Sequence, residues 1–118
     1  MLVEGREGQD VSKTLLKDRR QLGEKGIVFT LMVRNSDTRK IMSGPEIIAK
    51  GLANEETQNR LIGEARELTR KIIIRCEDAA RNGEPEMDLK ETIRIELRRY
   101  FNEHIGKKPT VLPIILDL

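Results

Sequence analysis

The sequence predicts an α+β fold: a three-stranded β-sheet in the order 2-1-3, with two α-helices packed on one face and the chain order β-β-α-α-β. Two apolar runs come first, two longer segments with a helical apolar period follow, and a third apolar run closes the chain of 118 residues. A chain of this length can bury one modest core, which indicates one folded domain.

The first strand is predicted from the stretch GIVFTLMVRN, which is apolar and rich in β-branched residues without a break from Ile27 to Val33. A continuous apolar run is typical of a strand that is covered on both faces or lies in the middle of its sheet. The polar stretch NSDTRK that follows is predicted to be a hairpin-type connection to the next strand.

The second strand is predicted from KIMSGPEIIAKG, which contains a Gly-Pro pair, Gly44 and Pro45. Proline has no amide hydrogen to donate to a neighbouring strand, so it is confined to edge strands, strand starts and bulges. Pro113 marks the last strand, TVLPIILDL, in the same way. We therefore place both proline-containing strands at the sheet edges, where the Gly-Pro pair bends or blunts an exposed edge.

Two amphipathic helices are predicted between the second and third strands. The first begins after the N-cap Asn54 and ends at Asn82-Gly83, and the second begins at Asp88 and ends at Gly106. In each helix, apolar residues recur at intervals of three and four and form one stripe. The first stripe comprises Leu61, Ala65, Leu68, Ile72, Cys76 and Ala79, and the second comprises Leu89, Ile93, Leu97, Tyr100, Phe101 and His104.

The composition argues against several function classes. Cys76 and His104 are the one cysteine and the one histidine of the chain, so neither a zinc cluster nor an internal disulfide is expected. We interpret Cys76 as core filler and His104 as a hydrogen-bonded residue near a helix end. No phosphate-binding glycine loop, secretory signal or apolar run of about 20 residues is present, which predicts a cytoplasmic protein without membrane contact.

The charge balance is mildly basic, with 22 Lys and Arg against 20 Asp and Glu. Lys90, Arg94 and Arg98 recur every four residues and share one helix face, and Lys107 and Lys108 follow the helix. These five residues are the candidate RNA contacts. Such basic lines more often form a solvated helix face, and the chain has few aromatic residues for base stacking.

Two isoleucines, Ile74 and Ile95, point away from the apolar stripes when residues are spaced at about 100° around each helix. Together with the proline-marked edges at Gly44, Pro45 and Pro113, they form the predicted protein interface. A small sheet domain has few other ways to bury such residues.

The segment that precedes the first strand, residues 1–25, contains three glycines, mixed charges and few apolar residues. We interpret it as a linker or the tail of a preceding region, and residues 26–118 as the folded domain.

Several segments resemble the C-terminal domain of the bacterial ribonuclease J family along nearly the whole chain. The most specific are LKDRR, then SGPEII followed closely by KG, and the ending KKPTVLPIILDL. The resemblance implies a parent enzyme with a metallo-β-lactamase domain and an inserted β-CASP domain, which cuts RNA endonucleolytically and degrades it from the 5′ end. It also implies two metal ions, usually zinc, in a His-rich motif of the N-terminal half, which this chain lacks.

For this chain, the resemblance implies a small domain with a three-stranded sheet and two helices that contributes to oligomerisation and full activity of the enzyme. No catalytic, cofactor-binding or metal-binding residue of the family is carried over, so we do not expect the chain alone to be an enzyme. The main hypothesis is an assembly domain that forms a homo-oligomer, a dimer or tetramer, and meets RNA through the parent enzyme. The alternative is an autonomous RNA-binding module that uses the basic helix residues.

Overall fold

The computed structural model describes residues 25–85 and 87–118. The interpretation of residues 1–25 as a linker therefore falls almost wholly outside the described residues. Five elements follow one another in the predicted order, β-β-α-α-β. They are β1 (Ile27–Arg34), β2 (Ile41–Lys50), α1 (Glu55–Arg81), α2 (Leu89–Ile105) and β3 (Thr110–Asp117).

The sheet has the predicted order β2-β1-β3 and is mixed, because β1 pairs antiparallel with β2 and parallel with β3. The central position predicted for β1 is thus confirmed. A parallel pair needs a crossover connection, and α1 and α2 lie in the crossover that leads to β3. Within it α1 packs against β2 and α2 packs against β3, so the helix pair covers one face of the sheet.

The Gly44-Pro45 pair lies inside β2 and coincides with an irregularity in strand pairing. Leu31 pairs with Glu46, but Val33 pairs with Ser43, so β2 contains one residue more than β1 between these pairs. Gly44 has a φ of 98°, which side-chain-bearing residues rarely adopt. The bend predicted at this edge is confirmed as a β-bulge.

The predicted ends of both helices are confirmed. The Oδ1 atom of Asn54 accepts a hydrogen bond of 2.8 Å from the backbone N–H of Thr57, and the Oδ1 atom of Asp88 accepts one of 3.2 Å from Glu91. Gly106 ends α2 in the left-handed conformation, with a φ of 66°. In the described ranges, neither helix has the length and apolarity needed to cross a membrane.

The core lies between the helix pair and the sheet face beneath it. Along β1, Val28, Thr30 and Met32 are buried against the helices, while the alternate residues point to the other face. The remaining buried apolar residues of the core cluster are Ile47, Ala49, Leu52, Leu61, Ala65, Ile72, Ile73, Ile93, Leu97, Phe101 and Val111.

Burial on the helices follows the predicted stripes with three differences. Thr69 and Ile73 are buried although the predicted stripe omits them, because α1 contacts both the sheet and α2 and so buries more than one narrow stripe. His104 is exposed, although the periodicity includes it in the second stripe. It lies in the last turn of α2, where its Nδ1 atom is 2.8 Å from the backbone oxygen of Tyr100.

Candidate assembly surface

The face of the sheet that points away from the helices is apolar at most of its positions. In register, its residues form four rows of three, and eight of the twelve positions are apolar. We call this surface the open sheet face. From one end to the other, its rows across β2, β1 and β3 are Lys50-Ile27-Thr110, Ile48-Phe29-Leu112, Glu46-Leu31-Ile114 and Ser43-Val33-Leu116.

The apolar residues at the sides of the open sheet face are substantially exposed. The exposed fraction is 44% for Ile48, 41% for Leu112, 38% for Ile114 and 58% for Leu116. The β1 residues between them are half-buried by these neighbours. Single exposed apolar residues are common, whereas the largest contiguous apolar patch of a domain, typically about 300–600 Å², is often functional.

The size of the open sheet face limits the affinity that it can provide. Three strands spaced by about 4.8 Å, each with about eight residues that rise about 3.3 Å, give a footprint of roughly 14 by 26 Å. That footprint is on the order of 400 Å², about half of the roughly 800 Å² per partner that a standard interface buries. The open sheet face is therefore large enough for a weak contact and not for a tight one by itself.

The sequence interpretation missed the open sheet face, although the signal is present. A sheet face that meets water normally carries polar residues at every second strand position. In β3, the outward residues Leu112, Ile114 and Leu116 are apolar, as are the alternate residues Val111 and Ile115. Apolar residues at both the odd and the even positions of an edge strand indicate that both faces of the strand are covered.

Two of the predicted interface residues lie on the helix layer. Ile74 on α1 is 57% exposed and Ile95 on α2 is 41% exposed. An ion pair between Arg75 and Glu96 joins the positions next to them. These isoleucines lie on helices and are not part of the open sheet face.

The other predicted interface residues do not join either surface. Pro45 is buried, and Pro113 is half-buried beside its register partner, the buried Thr30. Both prolines therefore point toward the helices. Gly44 is exposed at the β2 bulge, where a Cβ atom would lie 2.6 Å from the backbone oxygen of Leu31.

The structure places the five candidate RNA contacts in different environments and does not join them into one surface. Arg94 donates a hydrogen bond of 3.0 Å from Nε to Glu91, and this interaction raises the pKa of Arg94 and lowers the pKa of Glu91. Lys90 lines a cavity of about 400 Å³ together with the carboxylate residue Asp88 and two further cations, Arg34 and Arg39. Both residues thus have acidic neighbours, as in an ordinary solvated helix face.

Arg98 and Lys108, by contrast, lie together. They line a shallow cavity of about 290 Å³ with Arg99 and Asn102, at the end of α2 and the start of the connection to β3. Lys107 is half-buried and does not line this cavity. We call Arg98, Arg99, Asn102 and Lys108 the basic cluster.

Tyr100 and Cys76 have raised pKa values that burial explains. The Tyr100 hydroxyl donates a hydrogen bond to Glu64, and burial together with this bond raises the pKa of Tyr100. Burial likewise raises the pKa of the Cys76 thiol, whereas a nucleophilic cysteine needs a lowered one. The zinc that the family resemblance implies has no fitting ligand set within residues 25–85 and 87–118, where no three His, Cys, Asp or Glu side chains converge.

Comparison with known proteins gives one consistent result. The family model described as "Ribonuclease J C-terminal domain" matches residues 14–118. The chain is 30% identical to Ribonuclease J2 of Bacillus subtilis strain 168, and the match covers 100% of this chain and 21% of that protein. Ribonuclease J 2 proteins of Staphylococcus epidermidis and Staphylococcus aureus are 28% and 27% identical, with the same two coverages. The chain therefore spans about a fifth of the length of the curated relatives it matches.

Proposed function

The chain belongs to the ribonuclease J C-terminal domain family, and from this premise we propose that it is a non-catalytic assembly domain of a ribonuclease J-like enzyme. That enzyme cuts RNA endonucleolytically and from the 5′ end in the cytoplasm, with zinc bound in a separate catalytic region. A second copy of the chain docks on the open sheet face, and the contact supports the homo-oligomer and the full activity of the enzyme.

The observation that carries this proposal is the contiguous apolar surface opposite the helices. Leu112, Ile114 and Leu116 are 38–58% exposed, and removing apolar area from water is favourable by about 25 cal/mol per Å² before the costs of association. A small domain that keeps such a surface uncovered gains free energy when a partner covers it.

The distribution of residues on this face favours a second copy as the partner. A two-fold axis places the same patch on both sides of a contact, so an apolar patch meets an apolar patch. On the open sheet face the polar side chains are Ser43, Glu46 and Lys50 of the edge strand β2 and Thr110 at the start of β3, while β1 and the rest of β3 are apolar. Docking centred on β1 and β3 gives an apolar centre with a polar rim, which is the usual arrangement of an interface.

Weak affinity of the face is compatible with a role in assembly. The matched relatives are about five times as long as this chain, and contacts made elsewhere in such a protein raise the effective concentration of the two sheet faces. The contact between two open sheet faces then strengthens an association that other parts of the protein already make. The isolated chain is expected to dimerise with a dissociation constant in the micromolar to millimolar range.

Sedimentation equilibrium of the 118-residue chain across a range of concentrations tests the proposal. We expect the apparent mass to rise with concentration, and Leu112→Lys or Ile114→Lys to weaken dimerisation at least about tenfold, because an unpaired buried charge is costly. Ile74→Lys is a matched control, because Ile74 is at least as exposed but lies on the helix layer.

The opposite pattern would assign the interface to the helix layer. If Ile74→Lys or Ile95→Lys dissociates the oligomer while Leu112→Lys does not, docking through the open sheet face is wrong. A mass that stays monomeric at every concentration, in the chain and in the enzyme that carries it, contradicts the assembly role itself.

The alternative function, an autonomous RNA-binding module, has weaker support. It needs the five basic residues to act as one phosphate-binding line, but Arg94 pairs with Glu91 and Lys107 is half-buried. Strong RNA affinity that is lost when Lys90 and Arg94 are replaced by alanine would favour this alternative.

A further inference from the structure

Most arginines in the described part of the chain have an acidic partner, including Arg39, which acts by charge on Asp117. Arg98 and Arg99 make no ion pair with any residue in the ranges 25–85 and 87–118. Seven other arginines each pair with a carboxylate: Arg34, Arg60, Arg66, Arg70, Arg75, Arg81 and Arg94.

Arg98 and Arg99, the two arginines without an ion pair in the described ranges, line one cavity. Arg98, Arg99, Asn102 and Lys108 line about 290 Å³ at the surface, and among the described residues neither a carboxylate nor an aromatic side chain contributes to this lining. Arg98 and Asn102 are four residues apart and so lie one above the other on α2, while Lys108 reaches the cavity from the connection to β3. The result is a concave surface with two guanidinium groups, one ammonium group and one amide.

We propose that the basic cluster binds phosphodiester groups of single-stranded RNA. A guanidinium donates two parallel hydrogen bonds to the oxygens of one phosphate, and an ammonium adds a point charge that a neighbouring phosphate can meet. The choice of RNA as the polyanion rests on the proposed function, while the anion preference rests on the cluster. Because no aromatic side chain lines the cavity, bases do not stack there and the binding is independent of sequence.

A purely structural role would not require this arrangement. Cations near a helix C-terminus stabilise the helix dipole, but this effect falls off within the last turn. Arg98 and Arg99 precede the last turn of α2, which ends at Ile105. They therefore contribute little to the dipole, and removing their charges is expected to leave the unfolding free energy nearly unchanged.

Fluorescence anisotropy with a labelled 20-nucleotide oligouridylate tests the proposal. The variant R98S/R99S/K108S is compared with R60S/R70S/R81S. The second variant also removes three positive charges, but from exposed arginines that are paired with carboxylates. We expect wild-type binding with a dissociation constant of about 10⁻⁴ M at low salt, since non-specific contacts are of that order. The basic-cluster variant should bind at least about tenfold more weakly, and the control variant within about threefold of wild type.

The salt dependence supplies a second readout. Each phosphate neutralised on a single strand contributes about 0.7 to the slope of log affinity against log salt, so loss of three cations should reduce the slope by about 2. Equal weakening in both variants would show a general charge effect and overturn the proposal, as would tighter binding of polyglutamate or of anionic phosphatidylserine vesicles than of RNA. Failure here leaves the sedimentation result unchanged, so it is distinct from failure of the assembly proposal.

Discussion

At the residue scale, Gly44 provides the backbone conformation that the bulge in β2 requires. Its φ of 98° is strained for other residues, and a Cβ atom would lie 2.6 Å from the backbone oxygen of Leu31, which cannot move aside like a flexible side chain. We predict that Gly44→Ala lowers the free energy of unfolding by about 1–3 kcal/mol, measured by urea denaturation. Gly63→Ala is the control, because a Cβ there meets nothing within 4 Å inside α1, and it should raise stability by about 0.5–1 kcal/mol. Wild-type stability of Gly44→Ala would show that the bulge relaxes freely.

A second residue-scale prediction concerns the ends of β1 and β3. Arg34 donates hydrogen bonds of 2.6 and 3.0 Å from Nε and Nη2 to the two oxygens of Asp117, and these bonds are the main cause of the lowered pKa of Asp117. A carboxyl whose pKa is lower in the folded state adds stability above its unfolded pKa, and this stability is lost as the pH falls through the folded pKa. Arg34→Gln should return the pKa of Asp117 toward 3.8 in a carboxyl NMR titration and weaken the acid dependence of unfolding. Arg39→Gln should shift it less, because Arg39 acts on Asp117 by charge alone.

At the scale of elements, two buried threonines differ in their hydrogen bonding. The Oγ1 atom of Thr30 in β1 has no hydrogen-bond partner within the described residues, whereas the Thr69 hydroxyl in α1 donates a bond of 2.8 Å to the backbone oxygen of Ala65. Replacing an unsatisfied buried hydroxyl by a methyl group removes a desolvation cost. Thr30→Val should raise the free energy of unfolding by about 1 kcal/mol, while Thr69→Val should give no gain, in urea denaturation of both variants. A loss of stability in Thr30→Val would indicate that the hydroxyl has a partner.

The elements themselves were predictable because their signals are local. The N-caps Asn54 and Asp88 and the C-terminal Gly106 determine where the helices begin and end, and the positions of proline determine which strands lie at the edges. The open sheet face was not predicted, because a continuous apolar strand is compatible both with burial on two faces and with one face left for a partner. Which of the two applies depends on where the helices pack, and that is a tertiary property.

The candidate RNA contacts on α2 show the same limit of prediction from sequence. A spacing of four residues places Lys90, Arg94 and Arg98 on one face, but it does not reveal which of them meets a carboxylate. Glu91, three residues before Arg94, provides one such partner within the sequence. Lys108 joins Arg98 only because the chain turns back toward β3 after Gly106.

At the scale of the whole molecule, the domain is expected to act on RNA turnover by holding catalytic units together. In a ribonuclease J-like enzyme that carries this chain, deletion of residues 27–118 should lower the oligomeric mass in sedimentation and weaken RNA degradation. The metal content should stay unchanged in elemental analysis, because no metal-ligand cluster lies in the described part of the deleted region. Leu112→Lys in the otherwise complete enzyme is the sharper variant, since it changes one exposed side chain instead of removing the domain, and it should lower the oligomeric mass in the same direction. A deletion that weakens activity without changing the mass per catalytic unit would contradict the assembly role, because the domain would then have to act on RNA or on the catalytic region directly.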